Sequence, residues 1–229
     1  MSVSYSIVLP AWNEEQNIDL AINQINEVFT TFKKPFEILV IDDGSFDNTV
    51  NLVQNIQTRI PNIKLIQHAT NQGKGAAVAT GMRHATGNIR LFMDCDLSVA
   101  PETFEIMLPF FEKNDIVIGS RRIAQGKILK PQPWHRNILG ILFNKLIRFR
   151  TKLTYQDTQC GFKAFRSNTL FLFENLVSTG WTFDVELLVK AHRAKLNIKE
   201  IPVEWHNGKT SRLKLKDAWN IWKELRAIK

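Results

Sequence analysis

The sequence predicts an α/β protein, a mostly parallel central sheet flanked by helices. Over the first 120 residues, short β-rich runs alternate with segments of helical period, as βαβ units do. Polar, carboxylate-rich residues follow directly after those runs, where an open α/β sheet presents its ligand-binding edge.

Taken in order, Tyr5–Leu9, Phe36–Asp42, Ile63–His68, Ile89–Asp94 and Asp115–Ser120 read as strands. Between the first two, Ile18, Ile22, Ile25, Phe29 and Phe32 recur every three or four residues, the spacing of one buried helix face. Asp47 with Thr49 opens a second helix, Gly73–Ala85 forms a third, and Pro101 stands where a first-turn proline starts a fourth. After Ser120 the alternation ends. A basic, proline-containing loop, Gln125–Pro133, leads to a strongly apolar helix, Trp134–Phe149, that carries Arg136, Lys145 and Arg148. Asn168–Leu176 and Phe183–Lys195 are predicted helices, Ile198–Trp205 a strand, and Lys214–Ile228 an amphipathic basic helix. With no repeat or linker, residues 1–229 are expected to form one domain.

The apolar content of 44% suits a folded core, and no run approaches the roughly 18 apolar residues of a membrane span. No signal-peptide pattern precedes the first strand, so the expected location is cytoplasmic. Cys95 and Cys160 are too few for a disulfide framework or a zinc site, which fits a reducing compartment. A net charge of +8 suits an anionic partner: a nucleotide, a phospholipid surface or nucleic acid.

The strand ends carry the chemistry. The first strand runs into Pro10-Ala11-Trp12-Asn13-Glu14, the second into Asp42-Asp43-Gly44-Ser45, the fourth into Asp94-Cys95-Asp96, and the fifth into Gly119-Ser120-Arg121. Any one of these can be a turn or cap, but together they describe one sheet edge. Asp94 and Asp96, one residue apart at a strand end, can both reach a hard divalent cation, Mg²⁺ or Mn²⁺, that also holds a substrate diphosphate. Gly73-Lys74-Gly75 opens a helix and can offer backbone N–H groups and a cation to phosphate, or its glycines can serve close packing. It is not a Walker loop, and Val78 stands where a dinucleotide fingerprint needs a small residue, which weighs against a dehydrogenase. A nucleic-acid module would leave the acidic strand ends unexplained.

With these residues the chain resembles family 2 glycosyltransferases of GT-A fold, in particular the dolichyl-phosphate glucosyltransferase branch. The narrower resemblance lies in Asn71–Gly75, Asp157–Lys163, Trp181–Leu188, and Trp205 ahead of Ser211-Arg212. It implies a metal-dependent, inverting transferase that moves glucose from UDP-glucose to a polyprenyl or dolichyl phosphate. The chain would work peripherally at the cytoplasmic face of a membrane, without nucleic acid. Residues 1–120 would bind the nucleotide sugar and 121–229 the acceptor. Pro10, Trp12, Glu14, Asp43 and Lys74 would hold the nucleotide, with Trp12 stacking on it, and Asp157 would also belong to the substrate site. Asp94 and Asp96 would bind metal and diphosphate, and Arg121, Arg136, Ser211 and Arg212 would meet acceptor or donor phosphates. Leu97-Ser98 is nearer mannosyl-transferring relatives, so a mannose donor, or a saccharide acceptor, is the alternative.

Asp184 and Glu186 stand at a helix start, where an acid also has a capping role. For a hydroxyl acceptor they would serve as base; a phosphate acceptor is already ionised, and they would orient basic groups instead. His68, His84, His135, His192 and His206 show no ligand spacing. The Trp219, Trp222, Leu225, Ile228 stripe reads as a packing face or, with its flanking cations, as a surface for anionic lipid.

Overall fold

The computed structural model describes residues 3–130, 144, 145, 147–206, 223, 224, 227 and 228. The five predicted strands form as β1 (Tyr5–Ala11), β2 (Phe36–Asp42), β3 (Ile63–Gln67), β4 (Ile89–Met93) and β5 (Ile116–Ser120). They alternate with α1 (Ile18–Thr31), α2 (Thr49–Gln57), α3 (Lys74–His84) and the short α4 (Thr103–Met107). Pro101 lies just before α4, in a turn where Thr103 N donates to Ala100 O and Phe104 N to Pro101 O.

The second half departs from the prediction. Within the expected loop Gln125–Pro133, β6 (Lys127–Lys130) forms a two-stranded parallel sheet with β9 (Glu204–His206). The expected strand Ile198–Trp205 divides into β8 (Ile198–Pro202) and β9. Pro202 cannot donate to a ladder, and Val203 N and O bond instead to Ser120 O and Lys127 N, carrying the chain from one sheet to the other. The expected helix Asn168–Leu176 is a 3₁₀ segment, Ser167–Phe173, where Thr169 Oγ1 donates back to Arg166 O. Helix α5 (Phe183–Arg193) forms as predicted. Of the predicted helices Trp134–Phe149 and Lys214–Ile228, residues 144, 145 and 147–149, and 223, 224 and 227, are helical, and Ile228 follows the last without helical structure; the remainder, including Arg136, lies outside the described residues.

An unpredicted strand, β7 (Phe162–Arg166), completes a seven-stranded sheet of order β3-β2-β1-β4-β7-β5-β8. It runs antiparallel to both neighbours, while every other pair is parallel. Its sequence, Phe-Lys-Ala-Phe-Arg, places a fully buried lysine mid-strand, which is why apolar patterning does not reveal it.

Both faces of the sheet are covered, so the central strands are nearly continuous apolar runs. Ile7, Leu9, Val40, Leu91 and Met93 pack with Ile18, Ile22, Ile25 and Phe29 of α1 and Phe104 of α4. Val8, Leu39, Ile41, Phe92 and Phe165 face Ala77, Val78 and Met82 of α3 and Phe183, Leu187 and Leu188 of α5. Each fully buried large side chain contributes about 1.5–3 kcal/mol, so the two layers hold the strand ends rigidly in place. No helix among the described residues is long and apolar enough to cross a membrane.

Candidate active site

The loops after β1 and β2 are tied to each other. Asn13, at φ 52°, donates its N–H to Ser45 Oγ (2.8 Å) and accepts from Phe46 N (3.0 Å). Glu14 N donates to Thr49 Oγ1 (2.8 Å), and Glu14 Oε2 accepts from Asn17 Nδ2 at the start of α1 (2.7 Å). This cross-linking holds Trp12 edge-on to Phe46 with ring centroids 6.3 Å apart. Phe46 is 83% exposed, so the aromatic pair offers open ring surface beside the sheet edge. Pro10 lies within β1, and its carbonyl accepts weakly from Cys95 Sγ (3.4 Å).

Asp43 is buried and turned inward. Its Oδ1 accepts from Gln72 N (2.9 Å) and lies 2.7 Å from His68 Nδ1, and its Oδ2 accepts from Gly73 N (2.8 Å). His68 Nε2 in turn meets Thr80 Oγ1 of α3 (3.0 Å), so the histidine without ligand spacing fixes Asp43 in place. Gly73, at φ 100°, occupies backbone space that a side chain would strain. Gly75 N donates to Thr179 O (2.8 Å), and a Cβ on Gly75 would press on Phe183. The N–H groups of both glycines are thus spent inside the protein, which supports their packing role. The Lys74 side chain is the part of this turn that reaches the acidic edge.

There Lys74 Nζ donates to Asp94 Oδ1 at 2.5 Å, with Asp184 and Asp96 close enough to raise its pKa further against the lowering effect of burial. The antiparallel register pairs Met93 with Phe162, which sets Gly161 beside Asp94. A Cβ at Gly161 would collide with the Asp94 carboxylate. Asp96 is exposed, and its Oδ1 accepts from Ser98 N (3.0 Å) and Ser98 Oγ (2.5 Å). His206 N, at the end of β9, holds the same turn through Ser98 O (2.8 Å). The donor set fits a divalent cation: two hard carboxylates on one turn, one of them already carrying a cationic group and seated in a cradle only glycine leaves open. Among the described residues no cluster of three or more acidic, His or Cys side chains encloses an ion by itself. Water and substrate phosphate would complete the shell, as magnesium sites commonly require.

Behind this edge Lys163, fully buried on β7, donates to Asp184 Oδ1 and to Cys160 O, both at 2.5 Å. Burial raises the Asp184 carboxyl, and Lys163 and Lys74 pull against it. The Cys160 thiol is pushed by burial up to about 12 and is inert. Glu186 accepts from Val177 N (3.1 Å) and Ser178 N (2.8 Å) and pairs with Lys190 (3.1 Å). Among the described residues no side chain caps α5 directly; its two acids instead hold a lysine each.

Arg121 and Asp157 meet at the end of β5. Arg121 Nε and Nη2 donate to Asp157 Oδ2 and Oδ1 at 2.6 and 2.9 Å, and Arg121 N donates to Oδ2 at 3.0 Å. Glu200 on β8 accepts from Gln156 N and Asp157 N, and the guanidinium lies 5.4 Å from the Trp205 ring centroid. Burial would raise the Asp157 carboxyl, but Arg121 overcomes it and holds it at about 2. A depressed carboxylate contributes stability above its unfolded pKa of about 3.9, and that contribution disappears as pH falls toward its folded value. Thermal melts should therefore fall steeply between about pH 4 and pH 2, with Asp157 responsible for about 2 kcal/mol. Glu37, held at about 2 against burial by Lys64, Ser6 and Thr86, supplies a second such group. Asp157→Asn should flatten part of this acid limb; a limb identical to wild type would rule Asp157 out as its source.

The sheet edge thus brings together Trp12, Asp43, Lys74, Asp94, Asp96 and Asp184, with Arg121 and Asp157 paired at the end of β5. Arg136, Ser211 and Arg212 lie outside the described residues. The sequence pattern alone assigned no role to His68, Lys163 or Glu200, whose partners lie on other elements.

A family model described as Glycosyl transferase family 2 matches residues 6–171. A dolichyl-phosphate beta-glucosyltransferase of Trichomonas vaginalis is 35% identical over 92% of this chain, which spans 66% of that relative's length. A mannosyltransferase from Pyrobaculum calidifontis, solved with GDP-Man and Mn²⁺, superposes with a TM-score of 0.66 at 20% identity, over 97% of this chain and 61% of its own. Glucosyl-3-phosphoglycerate synthase from Mycobacterium tuberculosis, solved with Mn²⁺, UDP and glucosyl-3-phosphoglycerate, gives 0.66 at 19%, over 99% and 78%. Matched over most of its length and sharing this sheet, the chain belongs to glycosyl transferase family 2 and is a glycosyltransferase of GT-A fold.

Proposed function

We propose that the protein transfers glucose from UDP-glucose to a polyprenyl or dolichyl phosphate, with inversion and with a divalent cation held by Asp94 and Asp96. The observation that carries this reading is the Lys74–Asp94–Asp96 edge, two carboxylates and a cation at the carboxyl end of β4. A bound Mg²⁺ or Mn²⁺ would neutralise charge on the departing nucleoside diphosphate. Trp12, with Phe46 beside it, would take the base, and Pro10, Glu14 and Asp43 would shape that end of the donor site. Residues 1–120 then serve the donor and 121–229 the acceptor.

The lipid-phosphate acceptor is supported by the state of the acids. A sugar hydroxyl needs a base to take its proton, whereas a phosphate is already ionised and needs only aiming. Asp184 is 6% exposed at its side chain and held by Lys163, and Glu186 is held by Lys190 and two backbone N–H groups, so both orient basic groups. Arg121, with Arg136, Ser211 and Arg212, would gather phosphate; a guanidinium can hold two of its oxygens at once. The similarity to a dolichyl-phosphate beta-glucosyltransferase points the same way. Work at the cytoplasmic face of a membrane is supported by a basic hollow lined by Lys145, Arg148, Lys152 and Phe149, the last 87% exposed.

The test is a panel of UDP-glucose and GDP-mannose, each offered with polyprenyl phosphate in detergent or with soluble saccharides. UDP-glucose with polyprenyl phosphate should give the phosphate-linked sugar, and calorimetry should rank UDP-glucose above GDP-mannose. Tighter binding of GDP-mannose would make the Leu97-Ser98 likeness decisive and replace the donor. Transfer to saccharides but not to polyprenyl phosphate would replace the acceptor.

A further inference from the structure

Lys74 does more at this edge than a nucleotide-binding lysine needs to. Its Nζ sits 2.5 Å from Asp94 Oδ1, on one of the two carboxylates that the proposed cation requires. The backbone around it is pinned on both sides, Gly73 N to Asp43 Oδ2 and Gly75 N to Thr179 O, each at 2.8 Å. The loop cannot retreat as a unit, but the four-carbon stem of a lysine can swing. At the other end the Asp94 carboxylate lies against Gly161, in space that a side chain at that position would fill. The pair is only partly enclosed, with the Lys74 and Asp94 side chains 23% and 34% exposed, so an incoming ion has access.

We infer that Lys74 is the internal cation which the divalent metal displaces: it neutralises Asp94 in the metal-free protein, gives way when the metal binds, and then turns to the donor's diphosphate. This rests on the metal-dependent reading above and adds to it an exchange that couples the two ligands. Without donor, Lys74 opposes the metal both by occupying Asp94 and by repelling a second cation. With donor, the released ammonium has two phosphates to meet, and the same side chain becomes favourable. Metal alone should therefore bind weakly and metal with nucleotide well, because one charge changes partner between the two states.

The experiment measures Mn²⁺ binding to the metal-free protein by the spin-resonance signal of free Mn²⁺, and UDP binding at saturating Mn²⁺ by calorimetry. In Lys74→Met, Mn²⁺ alone should bind about tenfold more tightly than in wild type and UDP about tenfold more weakly, the scale of a partly exposed charge pair. Lys74→Arg, which keeps the charge, should stay near wild type in both. Mn²⁺ binding to Lys74→Met that is unchanged or weaker would overturn the exchange. Asp94→Asn separates this from failure of the underlying reading: if it binds Mn²⁺ like wild type, the metal assignment itself is wrong. Wild-type protein gives a second measurement that needs no folded variant, the rate at which acetic anhydride acetylates Lys74. Mn²⁺ should raise that rate by freeing the amine, and an unchanged rate contradicts the proposal.

Discussion

Asp96→Ala is expected to lose turnover by on the order of a thousandfold, because a cation that stabilises a leaving diphosphate contributes several kcal/mol of transition-state stabilisation. The variant should remain folded. Asp96 is exposed, and among the described residues its hydrogen bonds are local ones to Ser98 N and Oγ, so removing it costs the turn about 1 kcal/mol. Asp94 would be a poorer choice, since it also balances Lys74 and packs against Gly161. Excess chelator should reproduce the loss in wild type, and restored Mg²⁺ or Mn²⁺ should reverse it there but not in the variant. Sugar transfer at wild-type rate in chelator, or in folded Asp96→Ala, would remove the metal from the mechanism.

Lys163→Met is expected to destabilise the protein by about 3–5 kcal/mol, the cost of leaving one member of a buried ion pair without its partner. The Lys163 side chain is fully buried, and its ammonium is shared between Asp184 and the Cys160 carbonyl. Methionine fills similar space but removes the cation bonded to Asp184, leaving the more distant Lys74 to act on a carboxyl that burial already raises. For a protein of this size, such a loss lowers the melting temperature by roughly 6–20 °C. Lys163→Met combined with Asp184→Leu should recover much of it, since replacing both charges removes the uncompensated one. Urea melts of the three proteins decide: a single variant within about 0.5 kcal/mol of wild type, the range of ordinary surface changes, would mean the pair does not hold β7 to α5.

These two sites differ in how they are written into the chain. The five strands from Tyr5 to Ser120, the helix from Ile18 and the position of Asp94 and Asp96 are all local. Each follows from the period at which a segment buries its own face and from the residues that end it, and each is legible without knowing what lies alongside. The longer runs Asp157–Lys163 and Trp181–Leu188 were legible as a resemblance to the dolichyl-phosphate glucosyltransferase branch, which the similarity to a relative of that name bears out. Their physical purpose was not. Only the fold decides that β7 enters antiparallel between β4 and β5, that this register puts Gly161 against Asp94, and that Lys163 meets Asp184 twenty-one residues later. Only the fold decides, likewise, that Asp43 faces inward to His68 and Gly73, that Arg121 closes on Asp157, and that Ile198–Trp205 splits between two sheets. A charged residue in a strand reads as exposed until its counter-charge is found, and that partner is chosen by packing between segments distant along the chain, which no local period encodes.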